Sequence, residues 1–221
     1  MVKVKRMNKV FITLLFLLTL LSGCVPGGKV VPEPDVEIPS SSAGSTVAQF
    51  DDGRRGFIIT EAVNLDGATR RDFDQAVVFL NNRDFDQAIG LLEKLIETSP
   101  RVTAPYINLA LAYRKVGKPD PAEEHLKIAL ELLPGHPVAS NEYGLLLRKA
   151  GRFVEARNIY EQALTKFPDY LPVRKNLGIL CDIYLNDLEC AMTQYQLYNE
   201  ANRADEQVKL WISELRLRLG Q

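Results

Sequence analysis

A period of 34 residues constrains this chain more than any other feature. Residues 103–136 contain two segments in which apolar side chains recur at helical spacing, 106–116 and 122–133. Gly117 and Pro119 separate the segments, and Pro134 and Gly135 follow the second, so the stretch predicts two helices joined by a tight turn. Stretches of the same pattern lie 34 residues before and after it. The chain therefore predicts a stack of helical hairpins.

This unit resembles the tetratricopeptide repeat, in which two helices cross at small side chains. In residues 103–136 the small residues are Ala110, Ala122 and Ala129, the large ones are Tyr113 and Leu126, and Pro134 comes near the end. Residues 34 positions away keep this character, apart from Leu95, where the family prefers Ala. They are Ala76, Ala88, Leu95, Phe79, Leu92 and Pro100 before the unit, and Gly144, Ala156, Ala163, Leu147, Tyr160 and Pro168 after it.

The resemblance implies an all-α solenoid of helix–turn–helix repeats and gives the domain organisation. We expect repeats at residues 69–102, 103–136 and 137–170, a divergent fourth repeat at 171–201 and a C-terminal capping helix at 202–221. In the capping helix, apolar residues at helical spacing would cover the exposed end of the stack. A helix lying on a membrane surface is the alternative.

The N-terminal residues resemble a bacterial export signal that ends in a lipobox. A cationic start precedes an apolar run at residues 10–21, which is too short to span a bilayer comfortably. The run ends in L-S-G-C, and the resemblance implies removal of residues 1–23 as a signal peptide and lipidation of Cys24. A plain signal peptide with an incidental cysteine is the alternative. Because Val25 and not Asp follows Cys24, resemblance to the sorting pattern implies the outer membrane if the host is Gram-negative, with the body facing the periplasm.

Two segments separate this signal from the repeats. Residues 24–46 are rich in Pro, Gly and Ser and keep no apolar period, so we expect a flexible tether. Residues 47–68 form an N-terminal extension in which Phe57, Ile58 and Ile59 favour a strand. This strand either lies on the first repeat or binds a partner. The pentapeptide D-F-D-Q-A occurs twice, and it predicts helix N-caps at Asp72 and Asp84.

Cysteine and histidine placement predicts a disulfide and no metal site. The turn of the fourth repeat, near Asn186, comes one residue late, and Cys181 and Cys190 lie on either side of it. An oxidising compartment favours a disulfide between them, and two buried small side chains are the alternative. His125 and His136 are expected at the surface without partners at metal-ligand spacing, so we predict no metal and no cofactor.

The resemblance also implies a partner-binding groove lined by the first helix of each repeat. Equivalent positions of these helices predict an apolar floor with a central basic patch, which suits a peptide with apolar anchors and acidic groups. The alternative is that the apolar column packs between helices and that the cations are solvated. The candidate residues are Val77, Ile107, Leu111, Arg114, Lys115, Asn141, Leu145, Arg148, Lys149, Lys175 and Ile179.

Composition and motifs argue against other classes of function. A net charge of −1 gives no basic excess for nucleic acid. The sequence has no Gly-rich phosphate loop, no nucleophile elbow and no carboxylate pair beside a histidine, so we expect neither enzyme activity nor a small-molecule substrate. We expect a lipid-anchored adaptor for protein partners in the cell envelope, similar to the pilotins that help to assemble an outer-membrane secretin. The alternatives are a scaffold of a TonB/ExbB-type complex or of cell-wall synthesis, and a non-catalytic regulatory subunit of an envelope enzyme.

Overall fold

A computed structural model describes residues 46–49, 57–60 and 66–220, and it confirms the predicted all-α solenoid. The predicted signal peptide, Cys24 and the predicted tether up to residue 45 lie outside these residues. No helix in the described part of the chain is long and apolar enough to cross a membrane. The helices are α1 (Gly67–Asn81), α2 (Phe85–Thr98), α3 (Thr103–Lys115), α4 (Pro119–Leu132), α5 (Pro137–Lys149), α6 (Phe153–Lys166), α7 (Leu171–Ile179), α8 (Leu188–Ala201) and α9 (Glu206–Leu219).

Two short strands precede the helices in the described part of the chain. β1 (Thr46–Gln49) pairs antiparallel with β2 (Phe57–Thr60), with Thr46 opposite Thr60 and Gln49 opposite Phe57. The strand predicted at Phe57–Ile59 is therefore present, and β1 begins at the last residue of the predicted tether. Whether this pair lies on the first repeat or binds a partner stays a prediction.

Each helix packs against the next along the stack, from α1 on α2 to α8 on α9. The first helices of neighbouring repeats also touch, α1 with α3, α3 with α5 and α5 with α7. The first helices therefore share one side of the stack. We call the surface of α1, α3, α5, α7 and α9 the A-helix face.

Small residues stand where the two helices of each repeat cross. Ala76 and Ala110 are buried at this position in the first two repeats. Glycine replaces alanine in the third and fourth repeats, where a Cβ atom on Gly144 would lie 2.2 Å from Tyr160 Cε1 and one on Gly178 would lie 2.5 Å from Tyr195 Cε1. The aromatic rings thus fill the space that a methyl group would need.

The turn between the two helices of each repeat contains one residue in the left-handed conformation. Glycine takes this position in the second and third repeats, with φ of 77° at both Gly117 and Gly151. Arg83 and Asn186 take it in the outer repeats, with φ of 63° and 51°. Glycine adopts positive φ without steric cost, whereas other residues are strained there, so the two outer turns are less favourable.

The fourth repeat contains an extra residue that widens one helical turn. α7 continues into a π-helical turn, Leu180–Tyr184. The N–H of Asp187 then donates to the carbonyl of Cys181 at 2.8 Å, whereas the equivalent bond of the third repeat joins Arg152 to Leu147 and spans one residue fewer. A π-helical turn accommodates one inserted residue. The late turn predicted near Asn186 is therefore a local expansion of the helix.

The helix caps differ from those that the sequence predicts. α1 begins at Gly67, so Asp72 lies inside it, and Asp66 is the N-cap, with its side chain accepting from the N–H groups of Ala68 and Thr69. Asp84 does precede α2, but its side chain makes no capping hydrogen bond. The hydrogen bonds to Asp66, the N–H of Thr69 foremost, lower the pKa of its carboxyl group.

Both histidines are packed, although the sequence predicts them at the surface. His136 is buried, and its Nδ1 accepts a hydrogen bond from the N–H of Ala139 at 3.3 Å, which caps α5. Burial lowers the pKa of His136 to about 4. His125 is half-buried and stacks on the ring of Tyr113, with 5.5 Å between centroids. Burial also lowers the pKa of His125.

Candidate functional site

Four aliphatic side chains of the predicted groove lie at equivalent positions of the first helices. Val77, Leu111, Leu145 and Ile179 occupy equivalent positions of α1, α3, α5 and α7, and all four are half-buried. Leu111 and Ile179 also pack against the core, so each contributes to both packing and surface. A partly exposed aliphatic column of this kind can contact the apolar side chains of a partner.

Two predicted groove residues belong to the interior instead. Ile107 is buried in the core cluster that extends through the later repeats. Asn141 is buried too: its Oδ1 accepts from Asn176 Nδ2 at 2.8 Å, and its Nδ2 donates to Glu142 Oε1 at 3.2 Å. The contact between neighbouring first helices covers both side chains, so we assign them to the packing of the stack.

The two arginines of the predicted basic patch are partly engaged. Arg114 Nη1 lies 2.8 Å from Glu142 Oε2, so this ion pair neutralises Arg114 across neighbouring repeats. The guanidinium of Arg148 lies over the ring of Tyr184, 5.7 Å from its centroid. Its buried Nη1 has no hydrogen-bond partner among the described residues. Arg148 therefore has a donor that its neighbours leave unused.

The two lysines of the patch are exposed. Lys115 and Lys149 stand at the ends of α3 and α5, and neither forms an ion pair within the described part of the chain. Cations at helix C-termini also interact favourably with the helix dipole. The positive charge available to a partner therefore lies mainly on Lys115 and Lys149, and the patch is narrower than the sequence predicts.

Lys175, the remaining predicted cation, holds the last helix in place. Its Nζ lies 2.7 Å from Asp205 Oδ2 and 5.4 Å from the ring centroids of both Tyr198 and Trp211. Asp205 in turn caps α9. The hydrogen bond from Lys175, together with others, lowers the pKa of the Asp205 carboxyl group. Lys175 thus joins α7 to α9 and is less available to a partner.

The structure adds exposed apolar residues that are absent from the candidate groove residues. Ile183 and Tyr184 in the π-helical turn are 67% and 44% exposed, and Leu217 on α9 is 79% exposed. The late turn of the fourth repeat could have revealed the first two, because an extra residue changes which side chains face outward. Leu217 lies outside the apolar stripe of α9, and this position in the sequence already indicated that the core does not need its side chain.

One group of potential metal ligands occurs among the described residues, namely Cys181, Asp187 and Cys190. The Sγ atoms of the two cysteines lie 2.10 Å apart, at bonding distance. The carboxylate of Asp187 accepts from the N–H of Cys190 and from Arg157 Nη1. These contacts engage the atoms that would bind a metal. The oxidation state of the pair in the cell stays a prediction.

Comparison with known proteins gives the same architecture. Three tetratricopeptide-repeat models match residues 72–101, 107–170 and 147–215. No curated protein sequence matches the chain. PilF from Pseudomonas aeruginosa is similar in structure, with 23% identity, 69% of each chain covered and a TM-score of 0.62. MamA from Desulfovibrio magneticus has 16% identity over 71% of this chain and 88% of its own, with a TM-score of 0.61.

These identities establish a shared fold and nothing finer. The matched segments include both helices of the repeats that the 34-residue period predicts. The crossings of small and large residues occur in each of them. The chain belongs to the tetratricopeptide-repeat family.

Proposed function

We propose that this protein is a lipid-anchored adaptor that captures a protein partner on its A-helix face. The observation that carries the proposal is the arrangement of charge on this face. Lys115 and Lys149 are exposed and unpaired among the described residues, beside a half-buried aliphatic column. Stacked helical repeats present such a surface without providing chemistry of their own, so the proposed role is binding and not catalysis.

Charge and shape together define the partner's chemistry. The acidic residue nearest to the patch, Glu142, is neutralised by Arg114. A segment with carboxylates would therefore meet free cations and no free acid at the centre of the face, and its apolar side chains would contact the aliphatic column. The proposed partner is a protein that offers an acidic segment with apolar residues.

The anchor and the envelope machine rest on the sequence resemblance. The L-S-G-C motif at residues 21–24 supports lipidation at Cys24, and the repeats support an adaptor. Together they favour assembly of a pilus or secretin machine at the outer membrane. Replacement of residues 1–24 by a cleavable signal peptide without a lipobox should move the protein from the membrane fraction to the soluble periplasmic fraction, whereas Cys24→Ser alone would keep the apolar signal uncleaved. A variant that stays with the membrane would contradict the lipid anchor and leave the binding surface untouched.

The adaptor proposal is tested by crosslinking in native envelopes and capture through a tag at Gln221. We expect a reproducible envelope partner, and we expect the double variant Lys115→Glu/Lys149→Glu to lose it. Arg114 is a poorer target, because its reversal would also break the ion pair with Glu142.

A matched control reverses two cations that lie outside the helices of the A-helix face. Arg101 and Arg203 are exposed in loops, so Arg101→Glu/Arg203→Glu changes the net charge equally. We expect this control to retain the partner, and circular dichroism should show equal helicity in both double variants. Equal capture by all forms would refute binding at the cationic surface. Recovery of nothing except copies of this protein would replace the adaptor by a self-assembling role.

A further inference from the structure

We propose that α9 and the π-helical turn form an anchor site for one apolar side chain of the partner. This site consists of Ile183, Tyr184 and Leu217, and we call it the terminal apolar site. It rests on the proposed function and deepens it: the ligand is an acidic peptide segment that carries an aliphatic or aromatic residue. The anchor would lie at the α9 end of the A-helix face, with the carboxylates of the peptide toward Lys149 and Lys115.

Two ion pairs bring α9 onto the A-helix face. Lys175 on α7 bonds to Asp205 at the start of α9, with 2.7 Å between Nζ and Oδ2. Asp182 in the π-helical turn bonds to Arg218 in the last turn of α9. Because one pair lies at each end of α9, the helix is held along its whole length. Its last turn therefore stands beside the π-helical turn.

The same ion pair places exposed apolar residues at this junction. Ile183 follows Asp182 in the chain, and Leu217 precedes Arg218. They are 67% and 79% exposed, and grouped apolar side chains of this kind are more informative than single ones. The junction of α7 and α9 thus presents two aliphatic groups to solvent on either side of a neutralised charge pair.

The core does not need these residues. Val208, Ile212 and Leu215 form the buried stripe of α9 and cover the end of the stack. The hollow between α8 and α9 has a polar lining around Ile212, as expected for a capped end. Its lining residues are Gln196, Asn199, Glu200, Lys209, Ile212, Ser213 and Arg216. The terminal apolar site therefore exposes apolar side chains, whereas the hollow between α8 and α9 is lined mainly by polar ones.

The extra residue of the fourth repeat connects this site to the cations. Tyr184 packs on Phe153, with 4.8 Å between ring centroids, and lies under the guanidinium of Arg148. The buried Nη1 of Arg148 is unpaired in the described part of the chain. Lys149, next in sequence, is exposed. A carboxylate at Lys149 would thus lie one residue along α5 from the arginine that packs on Tyr184.

The charges that remain unpaired on this face determine which kind of peptide can bind there. The half-buried acids of α5, the π-helical turn and the start of α9 are each paired with a cation of a neighbouring element; they are Glu142, Asp182 and Asp205. Lys115 and Lys149 have no such partner among the described residues. Unpaired charge on α3 and α5 is therefore positive, because Glu142 is the only acid of these two helices, and this charge complements an acidic peptide and disfavours a basic one.

The test selects a phage-displayed library of random peptides on the purified full-length protein. We expect enriched peptides to combine Asp or Glu with a Leu, Ile, Phe or Tyr residue. Binding of a synthetic enriched peptide is then measured by fluorescence anisotropy. Leu217→Gln and Ile183→Gln should each raise Kd about tenfold, as loss of an anchor residue does.

Two control variants carry the same change at other exposed apolar residues. Leu210 is 58% exposed and lies on α9 about 10 Å before Leu217 along the helix axis. Val78 on α1 is 47% exposed at the other end of the stack. Leu210→Gln and Val78→Gln should change Kd by less than about twofold. All four substitutions are at exposed positions and leave net charge unchanged, so helicity should be equal.

The outcomes separate this inference from the proposed function. If binding weakens in Lys115→Glu/Lys149→Glu and is unaffected by Leu217→Gln and Ile183→Gln, the binding face stands and the terminal apolar site is refuted. Equal weakening by all four Gln variants also refutes it. Failure to enrich any acidic peptide overturns both proposals.

Discussion

The first two repeats and the last two solve the same packing problem with different pairs of residues. In the first half, alanine at the crossing accompanies a leucine in the second helix: Ala76 with Leu92, and Ala110 with Leu126. In the second half, glycine accompanies a tyrosine, and the ring occupies the space of the missing methyl group. The tyrosine ring of the second helix thus fills the volume that glycine leaves in the first helix.

This difference teaches that crossing positions must be understood in pairs. Glycine inside a helix costs roughly 1 kcal/mol relative to alanine, so Gly144 and Gly178 are unfavourable when considered alone. Buried Tyr160 and Tyr195 explain both glycines, because large buried aromatic side chains contribute several kcal/mol. Burial also raises the pKa of both tyrosine hydroxyl groups.

Removal of the Tyr160 ring should give the largest loss of stability among these predictions. Tyr160 is fully buried, so Tyr160→Ala would leave a cavity beside Gly144, where no methyl group can fill it. We expect a loss of about 3–5 kcal/mol in the free energy of unfolding. Urea denaturation followed by circular dichroism measures it. A loss below about 1 kcal/mol would show that the Gly–Tyr crossing is not a main support of the third repeat.

A disulfide between Cys181 and Cys190 should strengthen the fourth repeat relative to the third, which has no cysteine. The two cysteines are separated by 9 residues. Closure of so short a loop restricts the unfolded chain and is worth about 2–3 kcal/mol. Thermal unfolding with and without reductant measures this difference, and mass spectrometry counts free thiols. Cys181→Ser/Cys190→Ser should not respond to reductant; if the parent protein does not respond either, the prediction is wrong.

Converting one crossing into the other tests the comparison directly. Gly144→Ala places a methyl group against the Tyr160 ring and should cost about 1–3 kcal/mol in unfolding free energy. Adding Tyr160→Leu reproduces the crossing of the first half and should recover much of the loss. A Cβ atom on Gly90 in α2 would meet no atom within 4 Å, so Gly90→Ala should stabilise the protein by up to about 1 kcal/mol. A Gly144→Ala/Tyr160→Leu variant less stable than Gly144→Ala would contradict the pairing.

Acid should destabilise the protein through the last residue of the second repeat, which is a buried histidine, and not through the residues at the same position of the neighbouring repeats. Val102, His136 and Tyr170 occupy the same position in successive repeats. Burial holds the pKa of His136 at about 4, below its usual 6.5, so the unfolded state binds the proton more readily. Stability is therefore complete above pH 6.5 and is lost as pH falls toward 4, by about 2 kcal/mol at pH 5.

Urea denaturation at about pH 7 and about pH 5 measures this acid dependence. His136→Val, which introduces the residue of the first repeat, should reduce the difference between the two pH values. His125 has a lowered pKa too, so a smaller dependence should remain. An unchanged difference in the variant would show that His136 does not carry the effect.

The sequence predicts the helices well because their signal is local and repeated. The apolar spacing and the residues 34 positions apart anticipate the four hairpins and the closing helix. The caps are harder: Asp84 precedes a helix as predicted, yet only geometry decides whether its side chain bonds. The start of α1 at Gly67 also moves Asp72 from the predicted cap into the helix.

The candidate site is predicted less completely, because it depends on contacts between repeats. The pairing of Arg114 with Glu142 joins residues 28 positions apart, and no spacing rule anticipates it. The burial of Ile107 and Asn141 follows from how closely neighbouring first helices approach. The sequence pattern does not identify Leu217, because the apolar stripe of the last helix predicts only which residues cover the end of the stack. Periodicity therefore identifies the side of the stack that we propose for binding, while long-range pairing decides which charges remain.

The π-helical turn at Leu180–Tyr184 also has an evolutionary meaning. An inserted residue normally rotates every later side chain of an α-helix by about 100°, which would carry a buried stripe to the surface. Here one wide turn absorbs that rotation within a few residues, and the helices that follow still pack in order. A duplicated array can thus acquire new surface residues in one copy without losing the ancestral arrangement of the others. Insertion, as well as substitution, is a route by which such a chain diversifies.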